Sequence, residues 1–483
     1  MERIKLTEAA SALGVVVNTA TGTGIAAADA GVAPTGLEIA AVSTDSRMVR
    51  SGDLFVALRG DRFDGHRFVA DALASGAVAA VVEASWAQAH ASALPDGAVV
   101  LAVEDTLLAL QDLSKWYRNR FEIPVVAVTG SNGKTTTKDM TAAALNHDMD
   151  VWKTGGNYNN HVGVPLTLFG IESTHDAAVV EMGMNHRGEI ARLAVLAQPR
   201  VGIVTNVAAA HLGNLRDLDG VAAAKAELIA ALPPDGTAVL NADDPRVLGM
   251  ADDCPSAVVL FGLSESADVA ADDIEHRGST VRFSLRRTAF IRERIDIELR
   301  APGRHNVHNA LAAIAAAVSL GVSRQSAAAG LRDFRPTSMR MEVIETGNVT
   351  VINDAYNANP ASMVAALETL VEMAGTRPTV AALGDMLEMG DGSPDAHRAV
   401  GIRAAELGIG RLYLHGSDVK ALAEGAIAAG MPPDRVCVHD DKRTLARDLT
   451  QGLERDAILL VKGSRGMRME EVVESLVSEA PVS

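Results

Sequence analysis

The sequence predicts an α/β protein that is divided into three successive domains. A chain of 483 residues is too long for one ordinary hydrophobic core. Short β-rich runs alternate with helix-like segments in its middle and again in its last third, which is typical of mostly parallel sheets with helices on both faces. We therefore predict a small α/β domain over residues 1–103, a central domain over 104–330 and a C-terminal domain over 331–483.

The N-terminal domain is predicted from two strand-like runs with Gly and Asp between them, LFVAL (54–58) and AVAAVVE (77–83). The stretch EDTLLALQDLSKWYRNRF (104–121) then predicts a helix that begins the central domain. Four of its side chains fall near one helical face, as an amphipathic helix requires: Leu107, Leu110, Leu113 and Tyr117.

The central domain is predicted as a mostly parallel sheet with a phosphate-binding loop (P-loop). Pro124 opens the strand VVAVT (125–129), which runs directly into a glycine-rich segment. Residues 280–300 are more typical of added antiparallel strands, and residues 301–321 predict a helix that ends near Gly321. Further β-rich runs predict the remaining strands: AAVVEM (177–182), VGIVTNV (201–207), TAVLNAD (237–243) and AVVLFG (257–262).

The C-terminal domain is predicted as Rossmann-like, because β-rich runs recur at intervals that leave room for helices between them. These runs are VTVIND (349–354), TVAALGD (379–385), RLYLHG (411–416), RVCVHD (435–440) and AILLVKGS (457–464).

Composition excludes some classes of partner. With a net charge of −17 there is no basic tract to neutralise phosphates, so we expect neither nucleic acid nor an anionic membrane as a partner. Cys254 and Cys437 lack metal-type spacing and predict no disulfide framework, which fits a reducing cytoplasm. No run of about 18 apolar residues is present, so membrane insertion is not expected.

The segment VTGSNGKTTTKDM (128–140) predicts an ATP site. A turn from a strand into a helix aligns backbone N–H groups, and the helix dipole adds about half a positive charge there. Lys134 would neutralise the β- and γ-phosphates, and the Thr135 hydroxyl would bind Mg²⁺. The usual pattern has glycine where this chain has Val128. The predicted ATP-binding residues of the loop are Gly130, Ser131, Asn132, Gly133, Lys134, Thr135 and Thr136.

Three ionisable side chains are each open to two interpretations. Glu181 ends a strand expected near the loop, where it would serve Mg²⁺ directly or through water, or it is an edge glutamate in solvent. His211 follows another strand and is by itself more typical of a structural or exposed histidine. Lys225, the single lysine of an Ala-rich helix, is by itself typical of a solvated face, and only a carboxylate–metal setting would give it a function.

Two asparagines in GRHNVHNALAA (303–313) predict recognition of a base. Asn306 and Asn309 are three residues apart on one helical face, and their amides offer both donor and acceptor to an adenine edge. A zinc site of His305 and His308 is the weaker alternative, because the pair lacks i,i+4 spacing and a third ligand.

The segment VINDAYNANP (351–360) ends the first strand of the C-terminal domain with an acid. Asp354 suits a ribose hydroxyl at such a strand end. Alternatively it belongs to an Asx-turn before a helix that starts at Asn359 and Pro360, and both interpretations can hold together.

Ten motifs in this order resemble the Mur ligase superfamily of ATP-dependent amide-bond-forming enzymes over nearly the whole chain. The superfamily's loop resembles T-G-x-x-G-K-T, so Val128 is a family trait. The motifs are STDSR (43–47), GDLFVALRGDRFDGHRF (52–68), TGSNGKTTTK (129–138), GNYNNHVGVPLTL (156–168), EMGMNHRGEI (181–190), KAEL (225–228), GRHNVHNALAA (303–313), NDAYNANP (353–360), LGDMLEMG (383–390) and VKGSRGMRM (461–469).

The resemblance implies a metal-assisted site. It implies two Mg²⁺ ions held by Thr135, Glu181, His211 and Lys225, the lysine being carbamylated by CO₂ and so converted into an anionic ligand. That modification requires a neutral amine and therefore a lowered lysine pKa. The implied catalytic residues are Lys134, Lys225, Glu181 and His211.

The resemblance also assigns binding residues to each domain. Arg340 and Asp354 would reach ATP from the last domain, beside Asn306 and Asn309. The UDP part of a substrate would meet the first domain, a muramoyl peptide the central domain, and D-alanyl-D-alanine the last. These substrate-binding residues are, in the same order, Ser43, Asp45, Ser46, Arg47, Phe63 and His66; Asn157, Asn159 and Asn160; and Tyr356, Asn357 and Asn359.

The implied activity is a cytoplasmic, monomeric ligase that joins D-alanyl-D-alanine to UDP-N-acetylmuramoyl-tripeptide (UDP-MurNAc-tripeptide) at the expense of ATP. The superfamily member that adds the third amino acid usually has a D-N-P-R signature, where this chain has NANP. Folylpolyglutamate synthetase would not explain the STDSR and FDGHRF motifs. Outside the superfamily, a P-loop NTPase predicts ATP turnover without a peptide acceptor, and a non-catalytic nucleotide-binding protein would not need Lys134, Glu181, Lys225 and Asp354.

Overall fold

The computed structural model describes residues 1–21, 24–27, 36–60, 63–90, 92, 94–209, 215, 217–347 and 349–479. The chain divides into two compact units. Unit 1 comprises Met1–Ala127, Met149–Gly183 and Glu189–Pro199, and unit 2 comprises Val128–Asp148, Met184–Gly188 and Arg200–Ser483.

Within the described residues, unit 1 contains the first thirteen strands in chain order, and the eleventh of them continues into unit 2. Its helices are Leu6–Ala12, Val69–Ala74, Ala84–His90, Thr106–Arg118, Gly163–Leu168 and Glu189–Ala197. Its strands are β1 (Ile4–Lys5), β2 (Val17–Thr21), β3 (Gly24–Ala27), β4 (Glu38–Ile39), β5 (Ala41–Ser43), β6 (Asp53–Val56), β7 (Arg59–Gly60), β8 (Phe63–Asp64), β9 (Ala79–Glu83), β10 (Val99–Val103), β11 (Val125–Thr129), β12 (Val151–Lys153) and β13 (Ala177–Glu181).

A six-stranded sheet in the order β3-β2-β10-β9-β6-β5 organises the N-terminal part of unit 1. Strands β10, β9, β6 and β5 are parallel, while β2 and β3 add antiparallel pairs at one edge. The predicted runs LFVAL and AVAAVVE become β6 and β9, and both are buried. The prediction of a small α/β region is confirmed.

The helix Thr106–Arg118 belongs to unit 1, and it buries the predicted face. Leu110, Leu113 and Tyr117 are at most 1% exposed, whereas Leu107 is half-buried. The side chain of Asp105 caps the helix by accepting hydrogen bonds from the backbone of Leu107 and Leu108. An amphipathic pattern therefore located this helix correctly.

Unit 2 contains two sheets and the remaining helices: Lys134–Leu145, Leu218–Ala230, Pro245–Leu248, Arg304–Ser319, Arg324–Asp333, Pro360–Ala374, Ser393–Glu406, Val419–Ala428, Lys442–Gly452 and Glu470–Glu479. Its strands are β14 (Val201–Val204), β15 (Thr237–Asn241), β16 (Ala257–Gly262), β17 (Val269–Arg277), β18 (Thr280–Leu285), β19 (Ile295–Leu299), β20 (Glu342–Glu345), β21 (Thr350–Asp354), β22 (Thr379–Gly384), β23 (Arg411–His415), β24 (Val436–His439) and β25 (Ile458–Lys462).

The two sheets of unit 2 follow the predicted alternation. In the first, β14, β15, β16 and β17 are parallel, and β18 and β19 extend it antiparallel, as expected for residues 280–300. The second has the order β20-β21-β25-β22-β23-β24 and is parallel except at β20. Apolar clusters cover both of its faces, as in a doubly wound sheet. The antiparallel edge strand β20 was missed, because four residues carry too little periodicity.

No helix within the described residues has both the length and the apolar character to cross a bilayer. Both cysteines are unpaired thiols.

Candidate functional site

The P-loop of unit 2 connects the end of β11 to the helix Lys134–Leu145 through two glycines with positive φ. Gly133 has φ 79° and forms the helix N-cap, and Gly130 has φ 151°. A Cβ on Gly130 would overlap Oγ1 of Thr205, and one on Gly133 would lie 2.6 Å from Oδ1 of Asn309. The glycines are thus required by the protein's own packing, in addition to any approach of phosphate.

The two residues that follow β14 fix the shape of the loop. Asn206 accepts a hydrogen bond from the Asn132 backbone N–H (2.9 Å) and donates one to the Asn132 carbonyl (3.1 Å). Thr205 also donates to that carbonyl (2.6 Å). The Nζ of Lys134 donates to the carbonyl of Gly130 (2.8 Å), which keeps the ammonium over the loop. Thr205 and Asn206 lie within the predicted run VGIVTNV (201–207), whose apolar pattern gives no sign that they bind the loop.

Lys225 of the helix Leu218–Ala230 is buried in unit 2, with 3% exposure. The prediction that it lies on a solvated face is therefore wrong. Burial, and secondarily the ammonium of Lys134, lowers the pKa of Lys225 well below its usual value. None of the described residues makes a hydrogen bond to its Nζ. The result is an amine that is driven toward its neutral, nucleophilic form.

Glu181 ends β13 in unit 1 and is buried, with 1% exposure, which excludes the interpretation as an edge glutamate in solvent. Its Oε1 accepts a hydrogen bond from Nδ2 of Asn159 (2.8 Å), and its backbone N–H donates to Oγ1 of Thr154 (3.0 Å). Asn159 thus orients the carboxylate. Asn160 accepts hydrogen bonds from the backbone of residues 162 and 163 at the start of the helix Gly163–Leu168, while Asn157 is exposed. His211 lies outside the described residues.

Asn306 and Asn309 form a buried chain of hydrogen bonds in unit 2. Thr137 donates to Oδ1 of Asn309 (3.1 Å), Nδ2 of Asn309 donates to Oδ1 of Asn306 (3.0 Å), and Nδ2 of Asn306 donates to the carbonyl of Pro302 (2.7 Å). They are 2% and 6% exposed. The structure therefore shows these amides holding the P-loop helix to the helix Arg304–Ser319, and their contact with adenine remains a prediction.

Of the two histidines of the same motif, His308 is paired with an aspartate of the protein. The ring Nε2 of His308 lies 2.8 Å from Oδ2 of Asp243. Burial lowers the pKa of His305 to about 4. Among the described residues, no three histidine, cysteine, aspartate or glutamate side chains group as metal ligands.

Asp354 is an anchored carboxylate at the end of β21. Its Oδ2 lies 2.5 Å from Nζ of Lys462, and its Oδ1 accepts a hydrogen bond from the backbone N–H of Met341 (3.1 Å). The guanidinium of Arg340 lies 3.9 Å above the ring of Tyr356. The structure therefore brings these predicted residues together within unit 2, and it adds Lys462, which sequence analysis passed over because its motif offered no spacing rule.

Asn359 combines two functions. Its side chain caps the helix Pro360–Ala374 by accepting from the backbone N–H of Ser362 (2.9 Å), as the Asx-turn interpretation required. Its Nδ2 also donates to Oδ1 of Asn132 in the P-loop (2.7 Å). Asn357 is exposed, and its carbonyl accepts a hydrogen bond from Lys462 (2.8 Å).

The STDSR segment of unit 1 presents an exposed cation beside two half-buried serines. The hydroxyl of Ser43 donates to the carbonyl of Asp45 (3.0 Å), and Ser46 opens the 3₁₀ turn Ser46–Met48. Hydrogen bonds from Arg47 lower the pKa of Asp45 to about 2. The Arg47 side chain is 86% exposed, so it is accessible to an anionic ligand.

The FDGHRF segment places one aromatic ring outside and one imidazole inside. Phe63 is 50% exposed and stacks on Phe68, with 5.6 Å between ring centroids. His66 is 1% exposed; its Nε2 accepts from the Glu83 backbone (3.0 Å), so Nδ1 carries the proton toward Asp64 (2.8 Å). His66 has no free ring nitrogen for a substrate and instead holds its loop in place.

Comparison with known proteins identifies the family. Three family descriptions match successive parts of the chain: "Mur ligase family, catalytic domain" over residues 38–118, "Mur ligase middle domain" over 128–317 and "Mur ligase, glutamate ligase domain" over 339–465. The UDP-N-acetylmuramoyl-tripeptide–D-alanyl-D-alanine ligase of Bacillus subtilis (strain 168) is 38% identical over 446 residues, covering 92% of this chain and 94% of the relative. The chain belongs to the Mur ligase family.

Solved structures of related ligases have a fold similar to that of this Mur ligase. MurF from Acinetobacter baumannii has a TM-score of 0.87 and 31% identity, with 99% of this chain and 100% of that chain covered. MurF ligase from Thermotoga maritima, in complex with ADP, has a TM-score of 0.80 and 27% identity, with 91% and 97% covered. The prediction of three Mur ligase domains of α/β class is thus confirmed; their boundaries at 103 and 330 stay predictions.

Proposed function

We propose that this Mur ligase joins D-alanyl-D-alanine to UDP-MurNAc-tripeptide and converts ATP to ADP and phosphate in doing so. The relatives that match almost the whole chain carry the name of this reaction, which supports it over addition of the third amino acid. The observation that carries the chemistry is the buried Lys225, because a desolvated amine beside the P-loop lysine has no purpose in a simple nucleotide-binding protein.

The proposed reaction has two steps. A carboxylate oxygen of the peptide attacks the γ-phosphorus of ATP, so that a P–O bond forms to the acyl group and the bond to ADP breaks. The amine of D-alanyl-D-alanine then attacks the acyl carbon, loses a proton, and displaces inorganic phosphate through a tetrahedral intermediate. The protein contributes mainly positioning and neutralisation of charge, as in other phosphoryl transfers.

Charge neutralisation is the main difficulty of the first step. Two anionic oxygens about 3 Å apart repel each other by roughly 5 kcal/mol at an effective dielectric constant of 20. Lys134, held over the loop by the carbonyl of Gly130, offsets this repulsion together with the backbone N–H groups at the helix start. The phosphate-facing lysine of an otherwise acidic protein is accounted for in this way.

We propose a Mg²⁺ site whose ligands include a modified lysine. A neutral amine is what CO₂ requires for carbamate formation, and the burial and the lowered pKa of Lys225 support that form. Thr135, Glu181, His211 and carbamylated Lys225 would hold two Mg²⁺ ions, which would neutralise phosphate oxygens when bound. Asn159 keeps Glu181 oriented for this role.

The remaining assignments extend the proposal to each substrate. Arg340 and Asp354 would contact ATP, with the adenine near Asn306 and Asn309. Arg47 and the exposed ring of Phe63 are suited to the diphosphate and uracil of the UDP-sugar, because one is an accessible cation and the other an accessible π-face. We further propose that the enzyme acts in the cytoplasm, since ATP and UDP-sugars are cytoplasmic. We also propose that it acts as a monomer.

The test is phosphate release from ATP by the purified protein with UDP-MurNAc-tripeptide, in the presence and absence of D-alanyl-D-alanine, together with the mass of the product. We expect release that requires both substrates and a product heavier by one dipeptide. Release that ignores the dipeptide would indicate an NTPase or a ligase for another amine. Lys134→Ala is the matched negative control, and it should abolish ATP use at every substrate concentration.

A further inference from the structure

Arg340 occupies a backbone segment that is strained on both sides. Met339 has φ 61° and Met341 has φ 53°, so the residues before and after Arg340 both adopt the left-handed conformation that side chains disfavour. Two such residues around a single arginine persist only where surrounding contacts over-determine them, and strained backbone of this kind clusters at functional sites.

The surrounding contacts clamp the segment to the end of β21. The Tyr356 backbone N–H donates to the carbonyl of Met339 (3.2 Å), and the Met341 N–H donates to Oδ1 of Asp354 (3.1 Å). The carboxylate of Glu342 accepts from the backbone N–H of Met339 (3.0 Å). Arg340 is thus bracketed by hydrogen bonds to two residues of the same loop.

The guanidinium of Arg340 is available for an anion. It lies 3.9 Å over the ring of Tyr356, and no carboxylate of the described residues lies within 4 Å of it to form an ion pair. An arginine that stacks on an aromatic ring keeps its N–H donors at the ring's edge free for bidentate contact with phosphate. In a chain with a net charge of −17, an arginine without a carboxylate partner is informative.

Lys462 holds the carboxylate of Asp354, to which the Met341 N–H also donates. It is 2% exposed, and its Nζ lies 2.5 Å from Oδ2 of Asp354 and 2.8 Å from the carbonyl of Asn357. Asp354 therefore has one oxygen fixed by the ammonium and the other fixed to the Met341 N–H. We infer that Lys462 is a positioning residue, which acts through Asp354 and the Met341 amide to present Arg340 to the phosphates of the nucleotide.

A purely stabilising function explains this pair poorly. A buried ion pair costs desolvation that its attraction only partly returns, so apolar side chains of the same volume would serve stability as well. What apolar side chains cannot do is hold a carboxylate at the exact place where it receives the Met341 amide. The inference rests on the proposed function, because it takes the nucleotide to be the anion that meets Arg340.

The experiment measures the dissociation constant of the non-hydrolysable analogue AMP-PNP with Mg²⁺ by calorimetry, and separately that of UDP-MurNAc-tripeptide. The variants are Lys462→Met, Arg340→Ala and the double variant. Arg398→Met is the matched control, because Arg398 forms an ion pair of 3.1 Å with Glu424, and both residues lie on helices that carry none of the residues around Arg340. Lys462→Gln replaces Lys462→Met if the latter shows no folded baseline in thermal unfolding.

We expect Lys462→Met and Arg340→Ala each to weaken AMP-PNP binding roughly tenfold or more, while binding of the UDP substrate changes less than about twofold. The double variant should bind no more weakly than Arg340→Ala alone, because both act through one group. Unchanged AMP-PNP binding in Lys462→Met, or losses that multiply in the double variant, would overturn the inference. Failure of the wild type to ligate would refute the proposed function alone, since nucleotide binding is measured independently.

Discussion

Nδ2 of Asn359 donates a hydrogen bond of 2.7 Å to Oδ1 of Asn132, across a sequence separation of 227 residues. The donor caps the helix Pro360–Ala374, and the acceptor lies in the P-loop. The hydrogen bond therefore ties the P-loop directly to the start of the helix Pro360–Ala374.

Because Asn359 makes two different contacts, its variants should change the free energy of unfolding and the KM for ATP independently of each other. Asn359→Ala should lower the free energy of unfolding by about 1 kcal/mol, because the cap is lost. It should also raise the KM for ATP several-fold, because Asn132 loses its partner. Asn359→Ser keeps a capping oxygen but is too short to reach Asn132, so it should retain stability and still raise the KM. Steady-state kinetics and urea unfolding measure the two effects.

Ser323→Ala provides the control for that prediction. Ser323 caps the helix Arg324–Asp333 by accepting from the backbone of Ser326 (3.0 Å) and has no contact with the P-loop. Its loss should cost a similar free energy of unfolding and leave the KM for ATP unchanged. A KM increase in Ser323→Ala as large as in Asn359→Ala would show that the effect is a general result of destabilisation.

The lowered pKa of Lys225 predicts that the free energy of unfolding rises with pH. Its pKa in the folded protein lies well below the value in the unfolded chain, so between the two values the unfolded state binds more protons. In CO₂-depleted buffer, the melting temperature of the wild type should therefore increase with pH relative to Lys225→Met. That variant should be the more stable protein at low pH, because a thioether is buried without a penalty of charge.

The same variant tests the carbamate. Lys225→Met should have no ligase activity, and bicarbonate should stimulate the wild type after CO₂ depletion but not the variant. Full ligation by Lys225→Met, independent of bicarbonate, would exclude a carbamate on this lysine as part of the reaction.

A single methyl group added at Gly133 should strongly destabilise the fold. At φ 79°, an alanine is strained, and its Cβ would lie 2.6 Å from Oδ1 of Asn309, which Thr137 and Asn306 hold in place. Gly278→Ala is the control, because Gly278 has φ 58° and no neighbour within 4 Å of a Cβ. We expect about 1 kcal/mol of destabilisation for Gly278→Ala, and at least ~1 kcal/mol more for Gly133→Ala by urea unfolding.

Asp243 predicts a loss of stability in acid. Burial alone would raise its pKa, but hydrogen bonds from His308 and from the backbone of Leu263 and Ser264 outweigh burial and hold the pKa well below its usual value. Because the folded pKa is depressed, this stabilisation is complete above the unfolded pKa of about 3.9 and is lost as pH falls toward the folded value. Asp243→Asn should therefore be less stable than the wild type at pH 5, which lies above the unfolded pKa of about 3.9.

The check for Asp243 is the pH dependence of that difference in urea unfolding. It should shrink below about pH 4 as Asp243 becomes protonated in the unfolded chain. The contradicting result is a difference that does not shrink down to about pH 3, roughly one unit below the unfolded pKa. It would show that the shape of the Asp243 side chain, and not its charge, stabilises the fold.

Local pattern was sufficient for the elements that position the site. The strand before the P-loop, the turn at Gly130 and Gly133, and the helix after them follow from hydrophobic period and glycine placement within a short stretch of chain, and the structure has all three. The alternation that predicted both sheets of unit 2 is equally local. Family motifs then assigned residues to functions that periodicity does not report.

Burial and pairing of polar groups could be decided only by tertiary structure. By residue pattern alone, without the family motifs, Lys225 is typical of a solvated face and Lys462 carries no signal, yet both are at most 3% exposed. The partner of Lys462 is 108 residues away, at Asp354, and Asn306 and Asn309 use their amides on Thr137 and Pro302. The sequence determined the fold and the place of the P-loop because those depend on neighbours in the chain. The electrostatics of the site depend on which distant elements exclude water from a side chain, and packing alone sets that.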